Sequence, residues 1–352
     1  STSAHAAKPV TAENPLSLGV FADAGDAFSG RIQFKLTNNG QRAVKVPYWQ
    51  LPLAGDEAKQ FDVMLDGQPV TYTGKMIKRG KPSAKDFVML RPGETRVFNV
   101  DLSETYDLQK SGQYSVRFRS FLQNAQTEDG ALLASKSGRM ARLESVPMQL
   151  WVDGEAVRLK QELTNSAKAG KGKPGSGGGV VNGISYVGCS STQINTLGSA
   201  VSAARNYSEN SKGYLVGGST GPRYTTWFGA YTSTRYNTAK NNFAAIDSAM
   251  DQSGGQIKIN CGCNQSYYAY VYPTKPYEIF VCRAFWNAPT TGTDSKAGTL
   301  VHEMSHFNVV AGTDDHVYGQ SGAKSLAISD PNRAVDNADS HEYFAENTPS
   351  QN

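Results

Sequence analysis

Two histidines and a glutamate are spaced as the ligands and the base of a hydrolytic metal site. His302, Glu303 and His306 form the pattern His-Glu-x-x-His. On a helix, side chains four residues apart lie on one face, so both imidazoles can reach one ion. Zinc accepts nitrogen ligands and keeps an open position for water at catalytic sites. Glu303 is placed to take a proton from that water, so the motif predicts metal-assisted hydrolysis of a carbonyl compound.

The surroundings of the motif favour chemistry over a structural helix with two surface histidines. Four of the five histidines fall between residues 302 and 341. Apolar Leu300 and Val301 precede the motif and Phe307 follows it. This pattern predicts a helix over Ala297–Val310 that is half buried beneath a cleft.

The third protein ligand stays open from the residues alone. The pattern His-Glu-x-x-His-x-x-Gly-x-x-His needs a glycine at position 309 and a histidine at position 312. The sequence has Val309 and Gly312 instead. The candidates are Glu342 or Glu346 on a later predicted helix, and Asp315 shortly after the motif. Gly312 allows a sharp reversal of the chain, which can bring Asp315 back to the metal.

The segment that follows the motif resembles a known family. His-Glu-x-x-His followed by Gly-Thr-x-Asp-x-x-Tyr-Gly is similar to the aspzincin (deuterolysin) family of zinc metalloendopeptidases, and the resemblance covers roughly residues 180–352. It is strongest over residues 300–319 and 337–344. It implies a secreted endopeptidase with one catalytic zinc ion, and it favours Asp315 over the adjacent Asp314 as the third ligand.

The resemblance also implies a role for each site residue. It makes His302, His306 and Asp315 the zinc ligands, Glu303 the general base and Tyr318 a donor to the developing oxyanion. A phenol donor suits such a site, because a carboxylate ligand leaves the metal less electrophilic than a third histidine would. The other reading of Tyr318 is a tyrosine of the core.

Two acidic residues near the C-terminus are candidates for substrate binding. Asp339 and Glu342 are three positions apart, so on a helix they share a face and repel each other unless a cation lies between them. A solvated acidic face is the other reading. In the lysine-directed branch of the aspzincins an acidic pair in a matching segment receives the lysine after the scissile bond. The resemblance therefore implies cleavage on the N-terminal side of lysine.

The four cysteines lie in the C-terminal half, at Cys189, Cys261, Cys263 and Cys282. An even number in a segment rich in Gly, Tyr, Asn and Ser predicts two disulfides and an oxidising compartment. Cys261-Gly-Cys263 is too tight for a zinc knuckle, and for the same reason these two are not expected to bond to each other. We favour Cys189 with Cys261 and Cys263 with Cys282, and the resemblance implies the same pairing.

The distribution of strand-like, linker-like and helical segments along the sequence predicts two domains. Residues 1–165 are expected to form an all-β, immunoglobulin-like sandwich, because short alternating segments recur between turns. Residues 166–179 are rich in Gly, Ser and Lys and are expected to be a flexible linker. Residues 180–352 are expected to form an α+β, mainly helical, zincin-type catalytic domain. The clearest predicted strands are Gly30–Leu36, Val44–Leu51, Phe61–Leu65, Arg96–Leu102 and Gln113–Arg119.

Helical periodicity dominates the second half. Besides the motif helix, helices are predicted over Thr192–Lys212, Thr238–Gln252 and Asn337–Asn347. The Tyr- and Val-rich stretch Cys261–Cys282 predicts a β-hairpin.

Composition excludes several classes of partner. The net charge is +4, from 35 basic and 31 acidic residues, which is too mild to indicate nucleic-acid binding. No apolar run approaches the length of a membrane span. Ser1–Lys8 is dominated by small residues, as expected after removal of a signal peptide. We expect a secreted monomer whose partners are protein or peptide substrates.

The N-terminal domain carries no catalytic constellation. By the resemblance it is a pro-domain that acts as an intramolecular inhibitor of a latent precursor. Lys168, Lys171 and Lys173 offer sites at which a lysine-directed enzyme could cut itself. The alternatives are that the β-domain remains attached as a binding module, or that the whole chain is a non-enzymatic secreted binding or toxin protein with a vestigial zinc site.

Overall fold

The computed structural model describes residues 10–22, 25–168 and 179–352. The chain divides into two compact units, one from the described parts of Ser1–Thr71 and Pro82–Thr164, the other from Tyr72–Lys81 and the described part of Asn165–Asn352. The N-terminal region is rich in strands and the C-terminal region is helical, as predicted. Ser1–Lys8 and the linker lysines Lys171 and Lys173 lie outside the described residues.

The elements of the described residues are numbered in chain order. The strands are β1 Thr11–Glu13, β2 Leu16–Ala22, β3 Arg31–Asn38, β4 Val44–Pro47, β5 Phe61–Leu65, β6 Gln68–Pro69, β7 Met76–Lys78, β8 Phe87–Leu90, β9 Thr95–Asp101, β10 Gly112–Phe121, β11 Gln126–Thr127, β12 Leu132–Ala134, β13 Arg142–Glu144, β14 Met148–Val152, β15 Val180–Val181, β16 Ile184–Val187, β17 Lys258–Asn260, β18 Ala269–Val271 and β19 Glu278–Val281. The helices are α1 Gly154–Lys168, α2 Ser191–Val216, α3 Pro222–Phe228, α4 Ser233–Met250, α5 Arg283–Asn287, α6 Lys296–His306, α7 Gly319–Ser329, α8 Pro331–Ala334 and α9 Ala338–Glu346.

The first unit is built from three sheets. Their strand orders are β1-β12-β11-β4-β8, β13-β10-β5-β6 with β14 also on β10, and β2-β3-β9. Phe34, Phe61 and Phe118 contact one another with ring centroids 5.4–5.7 Å apart, so alternating apolar residues of β3, β5 and β10 face one core.

Two sequence predictions for this unit need correction. The strand predicted over Val44–Leu51 ends at Pro47, because proline cannot donate to a ladder, and a 3₁₀ turn follows over Tyr48–Gln50. Residues 166–168, expected to begin a flexible linker, continue α1 as helix. Ion pairs support that helix: Arg158 pairs with glutamates on both sides of it within α1, and Lys160 Nζ lies 2.8 Å from Asp101 Oδ2.

The second unit contains a six-stranded mixed sheet with the order β15-β16-β17-β19-β18-β7. Strands β16, β17 and β19 are parallel, and the predicted Cys261–Cys282 hairpin is present as antiparallel β18 and β19. Disulfides Cys189–Cys261 and Cys263–Cys282 form as favoured from the sequence. The strand β7 was not predicted, because it belongs to the N-terminal half of the sequence and yet pairs with β18 of the catalytic half.

The motif helix α6 is more deeply buried than predicted. All eleven of its residues are buried, rather than half of them. Helices α2, α4 and α9 and strands β7, β18 and β19 contact it, so it has no solvent face. Gly298 makes this packing possible, because a Cβ there would lie 2.0 Å from Glu346 Oε2, the oxygen that accepts from Ser295 at the start of the helix. Among the described residues, no helix has the length and apolar character needed to cross a bilayer.

His341 on α9 is a core histidine rather than a ligand. Its Nδ1 lies 2.8 Å from the Asn337 carbonyl and its Nε2 lies 3.0 Å from Asn242 Nδ2, which fits a neutral ring that donates through Nδ1 and accepts through Nε2. Phe228 and Phe243 pack against the ring. Burial lowers the pKa of His341 to about 4.

This buried histidine predicts an acid-side loss of stability. Between pH 6.5 and 4 the unfolded chain binds a proton that the folded chain does not, so the stability is complete above pH 6.5 and is lost as the pH falls toward 4. We expect His341 to contribute about 2–3 kcal/mol to the fall in unfolding free energy from pH 8 to pH 4. Urea unfolding of the parent and His341→Gln chains at both pH values measures this share; equal pH slopes in the two proteins would refute it.

Candidate active site

A glycine turn after α6 brings an aspartate back to the motif histidines. The helix ends at His306 rather than at the predicted Val310, because Phe307 leaves helical geometry and Gly312 turns the chain at φ +60°. Thr313 N then donates to the Ser305 carbonyl. Asp315 Oδ1 lies 3.0 Å from His302 Nε2 and 3.1 Å from His306 Nε2.

Both histidines are held with the nitrogen that faces Asp315 free to bind a metal. His302 donates from Nδ1 to Asp339 Oδ1 at 2.7 Å, and His306 donates from Nδ1 to the Thr313 carbonyl at 2.7 Å. These hydrogen bonds place the proton on Nδ1 and leave the lone pair on Nε2, as they do at most protein zinc sites.

The three ligand atoms fit a zinc ion. Ligands at about 2.0–2.1 Å from a tetrahedral zinc lie about 3.3 Å from each other, and the two Nε2 atoms are 3.2 Å apart. Neither oxygen of Asp315 nor of Glu303 accepts a hydrogen bond, although both residues are deeply placed. Buried carboxylates without donors are costly, so these oxygens suit contact with a metal ion, for Asp315, and with a water, for Glu303.

The electrostatics of the site follow from burial and from these contacts. Burial alone would raise the pKa of Asp315, but when His306 and His302 are protonated their positive charge outweighs burial and holds that pKa below its ordinary range. Burial raises the pKa of Glu303 well above its usual value. A carboxylate with a raised pKa accepts a proton readily near neutral pH, which suits a general base.

The two glutamates considered as alternative ligands lie elsewhere. Glu342 Oε1 is 3.6 Å from Nδ1 of His302, on the side of the ring that faces away from Asp315. Glu346 accepts from the backbone of Asp294 and Ser295 and so caps α6. The structure thus brings Asp315, and neither glutamate, to both Nε2 atoms.

Asp339 and Glu342 form an acidic pocket beside His302, and a lysine fills it. Lys78 Nζ lies 3.2 Å from Asp339 Oδ1, 3.1 Å from Glu342 Oε1 and 3.0 Å from Asp294 Oδ1, and only 1% of this lysine side chain is exposed. Burial would lower the pKa of Lys78, but attraction to Asp339 and Glu342 dominates and holds it well above its ordinary value. Lys78 in turn offsets burial and lowers the pKa of Asp339 to about 2. Asp339 has a second role that the sequence did not suggest, since it orients His302.

Tyr318 is not simply a core tyrosine. Its hydroxyl donates to the carbonyl oxygen of Ile77 at 2.6 Å. Burial and the nearby Asp315 raise its pKa well above the ordinary value, so the hydroxyl keeps its proton. The hydroxyl is therefore a donor aimed at a peptide carbonyl, as an oxyanion-binding group must be.

Sequence reasoning missed three residues of this site. Asn337 holds the loop of Asp315 against α9 by accepting from the backbone of His316 and Val317. Asp294 and Tyr343 complete the acidic pocket, where the Tyr343 hydroxyl donates to Asp294 Oδ1 at 2.6 Å. A signal for Asn337 was present, because asparagine commonly caps helices. Asp294 had no such signal.

Known proteins provide independent information on this site. The family model of the lysine-specific metallo-endopeptidases, the aspzincins, matches residues 216–346, which include the motif and the acidic pocket. An extracellular protease from Aeromonas hydrophila is 46% identical over 324 residues, covering 92% of this chain and 89% of that protein. The chain belongs to the aspzincin family. A peptidyl-Lys metalloendopeptidase from Armillaria mellea is 33% identical over 348 residues, covering 96% of this chain and 92% of that protein.

A solved structure is also similar in part. The zinc peptidase from Grifola frondosa is 48% identical and aligns with 47% of this aspzincin and all of that chain, with a TM-score of 0.45.

Membership settles the class of this protein. This aspzincin is a zinc metalloendopeptidase and a secreted protein, in keeping with its two disulfides. The alternative of a non-enzymatic binding or toxin protein with a vestigial zinc site is therefore set aside.

Proposed function

We propose that this aspzincin hydrolyses peptide bonds on the N-terminal side of lysine. The observation that carries the proposal is the buried acidic pocket of Asp339 and Glu342, which holds a lysine ammonium within 3.2 Å of both carboxylates beside His302. A pocket that buries an ammonium among carboxylates rejects neutral side chains, because they would leave its charges unpaired. Fungal relatives named peptidyl-Lys metalloendopeptidases support the same specificity.

The proposed mechanism assigns one zinc ion to His302, His306 and Asp315. When bound, zinc supplies a water of lowered pKa and polarises the substrate carbonyl. Glu303 takes the proton of the attacking water and passes it to the leaving amine. Tyr318 keeps its proton and donates a hydrogen bond to the oxygen on which negative charge develops.

The N-terminal region is proposed to be an immunoglobulin-like pro-domain of a latent, monomeric precursor. Its stacked apolar strands, with Phe34, Phe61 and Phe118 at their centre, support a sandwich. The proposed domain limits are residues 1–165, 166–179 and 180–352, with α1 continuing to Lys168 and with Tyr72–Lys81 packed into the second unit. Removal of the pro-domain within the linker is part of the proposal.

Lysine specificity is tested at Glu342. Asp339 is unsuitable, because its replacement would also release His302. We expect Glu342→Gln enzyme from culture medium to lose at least about tenfold in its kcat/KM preference for lysine over norleucine, since a hydrogen bond to a charged group contributes roughly 1.5–3 kcal/mol. Paired peptides that differ only at the residue after the scissile bond give the ratio.

The matched control is Glu209→Gln, which neutralises an exposed glutamate of α2. It should leave the lysine preference unchanged. A Glu342→Gln enzyme that still prefers lysine as strongly as the Glu209→Gln enzyme would rule out this pocket as the source of specificity.

A further inference from the structure

The occupant of the acidic pocket is part of the chain itself. Lys78 comes from the short segment Tyr72–Lys81, which packs into the catalytic unit although it lies far from it in sequence. Its ammonium contacts the carboxylates of Asp294, Asp339 and Glu342. The rings of Tyr268 and Tyr343 lie 4.9 Å and 5.8 Å from the same nitrogen. Burying an ammonium is costly unless it is fully paired, so this environment is a built recognition site for lysine.

The backbone around Lys78 is bound as an added strand. Met76–Lys78 pairs antiparallel with Ala269–Val271 at the edge of the sheet, with Ile77 opposite Tyr270. Tyr268 N donates to the Lys78 carbonyl at 3.0 Å. Addition of an extended segment to an exposed sheet edge is a common way to bind peptides, in which main-chain hydrogen bonds give affinity and side-chain pockets give specificity.

The peptide bond between Ile77 and Lys78 lies between two functional groups, the Tyr318 hydroxyl and the acidic pocket. Its carbonyl oxygen accepts from the Tyr318 hydroxyl at 2.6 Å, and the side chain that follows it fills the acidic pocket. An enzyme that cuts before lysine must hold the bond to be cut in this relation to its oxyanion donor and its lysine pocket. The two contacts therefore fix a register, which a merely space-filling segment would not need.

We propose that Met76–Lys78 is a tethered substrate analogue, with Lys78 in the lysine pocket, Ile77–Lys78 in the position of the scissile bond, and Asp294 as a third acidic residue of that pocket. The proposal rests on the proposed lysine specificity and adds to it the residue that blocks the site. External substrates compete with this strand, which is present at the high effective concentration of an intramolecular ligand.

The test measures peptide binding rather than turnover. Full-length, zinc-loaded chains carrying Glu303→Gln are titrated against a fluorescein-labelled peptide with a central Ile-Lys pair, and fluorescence anisotropy gives the Kd. We expect Lys78→Met to bind at least about tenfold more tightly than the Glu303→Gln parent, because a millimolar tethered competitor has been removed. Lys81→Met, three residues further along the same segment and exposed, is the matched control and should bind like the parent.

Two further arms separate the possible outcomes. If the lysine peptide binds the parent, Lys78→Met and Lys81→Met equally, the tethered analogue is refuted while lysine recognition stands. If Lys78→Met gains affinity equally for the lysine peptide and for its norleucine counterpart, the occupant is supported and lysine specificity fails. In the Glu303→Gln chain that keeps Lys78, excess lysine peptide should allow a trace of acetic anhydride, too little to consume the peptide, to acetylate Lys78, while acetylation of Lys81 is unchanged. Mass spectrometry measures both lysines. Continued protection of Lys78 at saturating peptide would overturn the proposal without a change in the strand.

Discussion

Replacement of Glu303 by glutamine is expected to lower kcat for peptide hydrolysis by about 10²–10⁴-fold while the zinc content stays the same. The two side chains have the same shape, and the carboxylate oxygens of Glu303 accept no hydrogen bond that the amide would break. What is lost is the ability to take a proton from the attacking water. Quenched-fluorescent peptides report the rate, and atomic absorption reports the metal.

The comparison must separate lost chemistry from lost maturation. Both proteins are therefore measured as full-length chains, with and without Lys78→Met, so that the proposed block by Met76–Lys78 affects them equally. Glu278→Gln, a half-buried glutamate of β19, controls for the substitution itself. Activity of Glu303→Gln within tenfold of the Glu278→Gln chain would exclude Glu303 as the general base.

Replacement of Asp315 by asparagine is expected to weaken zinc binding by more than about 100-fold. Loss of a residue that only hydrogen-bonds a ligand typically costs about 10–100-fold in metal affinity, and a direct ligand contributes more. Asp315 Oδ1 is within 3.1 Å of both Nε2 atoms. Among the described residues, no other carboxylate forms a cluster with both of these histidines. Competition against a chelating dye at fixed pH gives the affinity.

The neighbouring Asp314 provides a matched control for this experiment. Asp314→Asn removes the same charge one residue earlier, where the backbone pairs with Asp336 rather than with the histidines. It should retain zinc, and Glu342→Gln should retain it too. Loss of zinc in Glu342→Gln with retention in Asp315→Asn would assign the third ligand to α9 instead.

The histidine pair and Glu303 were predictable because helix geometry is local. A spacing of four fixes two side chains on one face whatever surrounds the helix. Asp315 was one of three open choices from the residues alone, and only the resemblance selected it. The turn that carries it depends on Gly312 and on the hydrogen bond from His306 to the Thr313 carbonyl, and the spacing of the motif does not predict that hydrogen bond.

The pocket shows where sequence reasoning stops. Asp339 and Glu342 were found as a pair on one helix, but their cation was not, because Lys78 and Asp339 are 261 positions apart. Asp339 was assigned to substrate alone, although its contact with His302 also places it in the metal site. Long-range contacts of this kind follow from packing, which periodicity does not encode.

The longest helices of the second half were predicted, whereas the short helices were missed, as were α1 and α7 with 15 and 11 residues. α2, α4 and α9 lie within a few residues of their predicted bounds, since each repeats apolar residues over several turns. α3, α5 and α8 have seven residues or fewer and carry too little pattern to stand out. The burial of α6 on every side was also missed, because its polar residues serve the site rather than face solvent.

If substrates pair with β18 as Met76–Lys78 does, this pairing limits which lysines the proposed activity can reach. A substrate lysine would then have to enter as part of an extended stretch whose main chain is free to hydrogen-bond with Ala269–Val271. Lysines in helices or in paired strands would meet this demand only while their region is locally open, and the free energy of that opening would add to the barrier to cleavage. Such an enzyme would select for conformation before sequence: it would cut compact proteins at their mobile loops, and complete digestion would require unfolding.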